Sequence, residues 1–282
     1  MYYGLIILAS LMASFQFVFN NGYQKENGAG LRSALDFTLY GTLISLVPMI
    51  IICKFKVEFT WFAVAVAFVH ALTTVVYNYA AVKALSNTNL SVYSLFAMLG
   101  GMALPFLYGT VFCNEGISVS KILCFVFIAL SLFITVERNS GKKGAVKYYI
   151  AVFILNGMFG VLSKFHLMNV ENCIDSSSFL MWSKIFTIVI SAIMILFDIK
   201  NTKKLSKKSV AYCSGYAVIS TVSGWLILLS LDHLPASVQY PMITGGVIAF
   251  TAVVGTFFGQ KPSKKEITAA VIAFVATIMM MF

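Results

Sequence analysis

Ten stretches of about 20 mostly apolar residues follow one another along the chain. No other feature restricts the fold as much. A hydrocarbon core about 30 Å thick is crossed by a helix of about 20 residues, and lipid offers no partner for an unpaired backbone N–H or C=O. The expected spans are 2–20, 33–53, 60–82, 89–111, 120–137, 146–168, 177–198, 210–231, 236–257 and 264–282. None of the connections is long enough for a soluble domain. Only 11% of residues are charged and 60% are hydrophobic, whereas a soluble domain carries about 25% charged residues. The first run lacks a basic leader, and Gln16 and Asn20 lie inside it or at its end, so it is expected to span rather than to be a cleaved signal. The expected class is an all-α integral membrane protein, multi-pass in a plasma or inner cell membrane, with the lipid bilayer as its first partner.

The chain also repeats itself. Ser91 to Ser118 aligns with Ser237 to Ser263 when the first half is shifted by 146 residues and one residue is dropped after Phe112. Ser91 falls on Ser237, Val92 on Val238, Gly100 on Gly246 and Ala103 on Ala249. Gly109, Thr110 and Phe112 fall on Gly255, Thr256 and Phe258. The same register puts Tyr3 on Tyr149, Met12 on Met158 and Phe19 on Phe165. Two homologous halves follow, residues 1–140 and 145–282, each with five spans. An odd number of spans inserts the second half upside down relative to the first. The expected architecture is therefore a 5+5 inverted-topology repeat, with a substrate site at the repeat interface near mid-membrane.

The net charge of +10 is concentrated in loops, which argues for membrane topology and against nucleic acid as a partner. Loops after odd-numbered spans hold Arg32, Lys83, Arg138, Lys142, Lys143 and the lysines of the 199–209 and 261–265 segments. Loops after even-numbered spans hold Lys54, Lys56 and Lys121. The positive-inside rule places the odd-numbered loops in the cytoplasm and both termini outside. The five cysteines are scattered without metal or disulfide spacing and read as small buried hydrophobes.

The run SVQYPMITGG, closed by FFGQKPS, resembles the drug/metabolite transporter superfamily in its ten-span form with two EamA-type domains. In that family the fourth span of each half ends in phenylalanine, glycine and glutamate. Here Glu115 keeps the acid in the first half, and Gln260 replaces it in the second. The resemblance covers nearly the whole chain and implies a transporter, with a substrate range from amino acids to nucleotide sugars and drugs. It also implies a cavity lined by spans 1, 3, 4, 6, 8 and 9, and cytoplasmic termini, against the charge distribution adopted above.

Polar side chains inside spans are costly and mark function by default. His70 and Tyr77 share a face of span 3, and Tyr240 and Thr244 share one on span 9 beside Gln239. Gln16 and Asn20 lie a turn apart in span 1, Asn156 in span 6, Ser223 and Trp225 in span 8, and Tyr93 in span 4. These residues are the candidate substrate-binding set, against the alternative that they glue helices together. Lys164 joins them as a guard of the cavity mouth that attracts a carboxylate or phosphate. The other reading, for Lys164 and for Lys184, is snorkelling to the loop that holds Glu171 and Asp175. Spans 5 and 10 are almost purely apolar and are expected to face lipid.

These readings converge on a secondary transporter of a small organic solute, such as an amino acid, another metabolite or a drug, working by alternating access. An integral-membrane receptor, scaffold or enzyme is the alternative. No HExxH, GxSxG or P-loop motif occurs, so neither catalysis nor ATP hydrolysis is expected, and no cofactor or metal. Every Asp and Glu lies in a loop or near a span end. The solute is accordingly expected to be neutral or zwitterionic, moved passively or coupled to His70. The oligomeric state is left open.

Overall fold

The structure is a computed structural model that describes residues 2–28, 30–85, 90–135, 146–197, 205–257 and 264–279. Among these residues all regular structure is helical. The elements are α1 (Tyr2–Asn27), α2 (Leu31–Ile52), α3 (Trp61–Leu85), α4 (Leu90–Phe112) and α5 (Val119–Thr135). They continue with α6 (Val146–Met168), α7 (Ser176–Phe197), α8 (Lys207–Leu231), α9 (Ala236–Phe257) and α10 (Lys264–Met279). Six of them, α1, α2, α3, α6, α7 and α8, are long and apolar enough to cross a membrane. Shorter apolar stretches run through α4, α5 and α10.

Helix α1 outruns its expected end by about two turns. The Asn/Gly-rich segment after Asn20 is held helical by tertiary contacts. Tyr23 is 2% exposed and donates to the Ser33 carbonyl at 3.2 Å. Asn27 donates to Ser209 Oγ on α8 at 2.8 Å. The helix stops at Gly28, whose φ of +76° is the left-handed conformation that glycine adopts without steric penalty.

The helices pack in pairs. Helix α1 lies against α8 and α9, and α6 against α3 and α4. Helix α2 meets α7 and α8, α3 also meets α7, α4 meets α9, and α5 meets α10. Lipid tails are as apolar as leucine, so association in a membrane depends on close packing rather than on the hydrophobic effect. Glycines supply it. A Cβ on Gly100 of α4 would stand 2.0 Å from the Phe153 carbonyl oxygen of α6. One on Gly157 would stand 2.6 Å from the Gly100 oxygen, so the two backbones touch. On the other side, a Cβ on Gly246 of α9 would meet Ser10 of α1 at 2.8 Å. Alanines extend the same contact: Ala80, Ala81, Ala84 and Ala97 are buried with Tyr149 and Val152 where α3, α4 and α6 meet. Helices α5 and α10 sit outside this arrangement. Their outer faces expose Val126, Leu130, Phe133, Val271 and Phe274, as a lipid-facing helix would.

Candidate solute-binding cavity

The helix packing leaves a cavity of about 510 Å³ in the middle of the bundle. Among the described residues eight helices line it, and none of the lining comes from α5 or α10. Helices α2 and α7 join the six that the family resemblance implied. Their contribution follows a helical stripe, Ala34, Thr38, Gly41 and Ser45 on α2, faced by Leu180 and Lys184 on α7. That stripe of small and polar residues at spacings of four, three and four was the available sequence signal for α2.

Seven of the twelve candidate residues line this cavity: Gln16, Asn20, His70, Tyr77, Asn156, Tyr240 and Thr244. His70 Nδ1 lies 2.8 Å from Ser183 Oγ of α7, and its ring lies 5.2 Å from that of Phe159. Tyr77 meets Phe159 edge-on at 5.5 Å. Asn156 donates to the Ala97 carbonyl at 2.7 Å, which leaves its amide oxygen and one N–H for other partners. Ser163, which also lines the cavity, donates to the Phe159 carbonyl at 2.8 Å. The ring of Tyr240 fills the space that a side chain at Gly160 would need, 2.5 Å from an added Cβ.

The other candidates lie elsewhere. Ser223 donates to the Ala9 carbonyl at 3.0 Å and ties α8 to α1. Gln239 is fully buried and donates to the Ile227 carbonyl, tying α9 to α8. Both act as interhelical glue. Trp225 is half-buried on α8, away from the cavity lining. The Tyr93 side chain lies outside the described residues.

Lys164 forms an ion pair with Glu115 at 3.4 Å instead of reaching the α6–α7 loop. Several lining residues were not among the candidates. Phe37, tilted between Tyr23 and Tyr216 at 4.7 Å from each, makes an aromatic wall. Asn78 donates to Thr38 Oγ1 at 2.7 Å, joining α3 to α2. A sequence pattern of single aromatics in apolar helices does not distinguish a cavity wall from a lipid face.

The two ends of the cavity differ. Its lining reaches Gln24, Gly28 and Ser33 at the α1–α2 connection. At the other end polar contacts close the bundle. Glu115, in the α4–α5 loop, accepts from the backbone N–H groups of Ala236 and Ser237 at 2.9 and 2.8 Å. Its carboxylate thus sits on the N-terminus of α9, where unpaired N–H groups and the helix dipole favour an anion. Glu58, in the α2–α3 loop, does the same at α7. Its carboxylate accepts from the Asp175 N–H at 2.7 Å, and its carbonyl accepts from Trp182 Nε1 at 2.9 Å. Lys121 adds a bond to Ser237 Oγ at 2.8 Å. Two carboxylates from the first half of the chain therefore cap two helices of the second half.

Burial alone would raise the Glu115 pKa. The hydrogen bonds from Ser237 and Ala236 and the Lys164 ammonium outweigh it and hold the carboxyl below its ordinary value of 4.5. Among the described residues no group of three or more Cys, His, Asp or Glu could hold a metal.

No family model matches the chain, and no curated protein does. A solved structure described only as "Crystal structure of protein" is similar to it, with a TM-score of 0.76 and 13% identity over 100% of this chain and 98% of that one. At that identity the likeness is one of fold alone.

Proposed function

We propose that this chain is a secondary transporter of a small organic solute, working by alternating access through the central cavity. The observation that carries the reading is the cavity itself, lined by eight helices among the described residues with polar side chains interspersed in an apolar wall, and with polar contacts joining the two halves of the chain at one end. Its volume falls within the range of about 300–1,000 Å³ typical of small-molecule sites.

The ten helices are read as ten spans in two inverted halves, 1–140 and 145–282. The packing supports this, because exchanging α1–α5 with α6–α10 turns α1·α8 into α6·α3 and α4·α6 into α9·α1. The same exchange turns α2·α8 into α7·α3, and leaves α2·α7, α4·α9 and α5·α10 unchanged. The likeness to the ten-span drug/metabolite transporters stands on this arrangement together with the sequence motifs. With the basic odd-numbered loops in the cytoplasm of a cell membrane, the cavity reaches toward the inside and the Glu58 and Glu115 caps close the outside.

The test is solute uptake into liposomes that hold this protein alone. A panel of radiolabelled metabolites should yield at least one whose entry exceeds that into empty liposomes. Gly224 lines the cavity, and an added Cβ there meets nothing within 4 Å, so Gly224→Phe should obstruct the passage in a folded protein. Flux that is equal in the variant and the unmodified protein, or absent across the panel, would overturn the reading.

A further inference from the structure

Among the described residues that line the cavity, Lys184 carries the one full positive charge, and none is an Asp or Glu. Lys184 lies eight residues into α7 from Ser176, about 12 Å along the helix. Its Nζ turns across to α2 and donates to Ser45 Oγ at 3.0 Å. The ion pairs among the described residues are Arg32–Asp36 and Lys164–Glu115, so no described carboxylate pairs with Lys184. An ammonium has three N–H donors, and Ser45 takes one. A cation held this deep without a counter-ion is costly, and in a membrane such a residue marks a substrate pathway.

The geometry points to a small monocarboxylate with an apolar body as the solute, its carboxylate held by Lys184 between α2 and α7. This rests on the transport reading and names the chemistry of the solute for that same site. It departs from the neutral or zwitterionic solute expected from the sequence. One ammonium balances one negative charge. A phosphate monoester carries about −1.5 to −2 at neutral pH and would bring unmatched charge into the membrane interior. Ser45 fixes the ammonium, and His70 is held on the adjacent Ser183, so the anion end of the cavity is ordered before any solute arrives. The remainder of the wall suits a hydrocarbon or aromatic body: Phe37, Phe159, Tyr216 and Ile243 face it.

The test uses the full-length protein in detergent with hexanoate and 3-phenylpropanoate, the primary amide of each, and 3-phenylpropyl phosphate. Thermal stabilisation and calorimetric binding are measured. At least one acid should raise the Tm saturably and bind at least tenfold more tightly than its amide and than the phosphate ester. Lys184→Gln should weaken the acid at least tenfold and leave the amide as it was. Amides that match their acids, acids that do not bind, or a phosphate ester that binds more tightly than the acids would each overturn the inference. So would Lys184→Gln binding the acid as the unmodified protein does. If Lys184→Gln fails to fold, the comparison of acid with amide on the unmodified protein decides. Uptake of the same acid into liposomes is read separately. Lys184-dependent binding without uptake would leave this inference standing and overturn transport. Uptake of neutral solutes with no preference for acids would overturn this inference alone.

Discussion

Glu115 concentrates several functions in one carboxylate. It is 9% exposed, caps α9 through two backbone N–H groups and pairs with Lys164. Charge-assisted bonds of this kind contribute about 1.5–3 kcal/mol each, and a buried donor left unpaired costs about 1–3 kcal/mol. Glu115→Gln is expected to lower stability by about 1–3 kcal/mol, read as a lower Tm of the purified protein. The pH dependence has a definite sign. A carboxyl held below its ordinary pKa in the fold gives stability that is present above about pH 4.5. That stability is lost as the pH falls through the lower, folded-state value. The Tm of the unmodified protein should therefore fall more steeply on acidification below that pH than the Tm of Glu115→Gln, and parallel curves would refute the assignment. Gly109 serves the same carboxylate, since an added Cβ would lie 2.5 Å from Glu115 Oε2. The left-handed Asn114, at φ 51°, turns the chain so that the Glu115 N–H donates back to the Gly109 carbonyl at 3.1 Å.

Between elements, the crossing of α4 and α6 is the tightest contact described. Gly100 and Gly157 let the two backbones meet, and Asn156 secures the crossing through the Ala97 carbonyl. Since the obstacle at Gly100 is backbone, no side chain can rotate away from an added methyl group. Gly100→Ala is expected to be strongly destabilising, by more than about 2 kcal/mol, the range of overpacked cores. A sharp drop in folded yield and Tm would register it. Gly41, in the middle of α2, meets nothing within 4 Å. Gly41→Ala should leave the Tm unchanged or raise it, because alanine is favoured over glycine in a helix by about 1 kcal/mol. Equal effects at both positions would remove the crossing argument. Helix α1 makes a related point at its C-terminal end. Its last turns are polar and glycine-flanked, and it is the contacts of Tyr23 and Asn27 with α2 and α8 that keep them helical.

For the molecule as a whole, the direction of the cavity depends on which end faces the cytoplasm. The protein carries its own reporter at the capped end, because Cys173 in the α6–α7 loop is partly exposed. At the opposite end Ser206 is the N-cap of α8, accepting from the Ser209 N–H at 3.1 Å, so a probe is better placed at exposed Lys207. In intact cells a membrane-impermeant thiol reagent should label Cys173. It should fail to label Lys207→Cys in a Cys113→Ser, Cys173→Ser background until the membrane is permeabilised. The reverse pattern would invert this orientation and make the described cavity reach outward.

What the sequence determined alone is what lipid enforces locally. Runs of apolar residues must become helices, and the ten helices fall near the expected ten runs. The apolar character of the fifth and tenth runs goes with the outer positions of α5 and α10, because a helix with no polar face has no reason to line a cavity. The faces of His70 and Tyr77 and of Tyr240 and Thr244 were legible for a related reason, since polar residues a turn or two apart share a side of a helix. The rotation of each helix was decided only by tertiary packing. Gln239 and Tyr240 are neighbours in sequence, yet one bonds to the α8 backbone and the other lines the cavity. Lys164 and Lys184 looked alike as lysines near the same loop, yet one neutralises Glu115 and the other enters the cavity. The spacing of residues fixes their relative phase on a helix. Only the glycine-mediated contacts between helices fix which phase faces the centre, because that choice depends on how closely two backbones can approach.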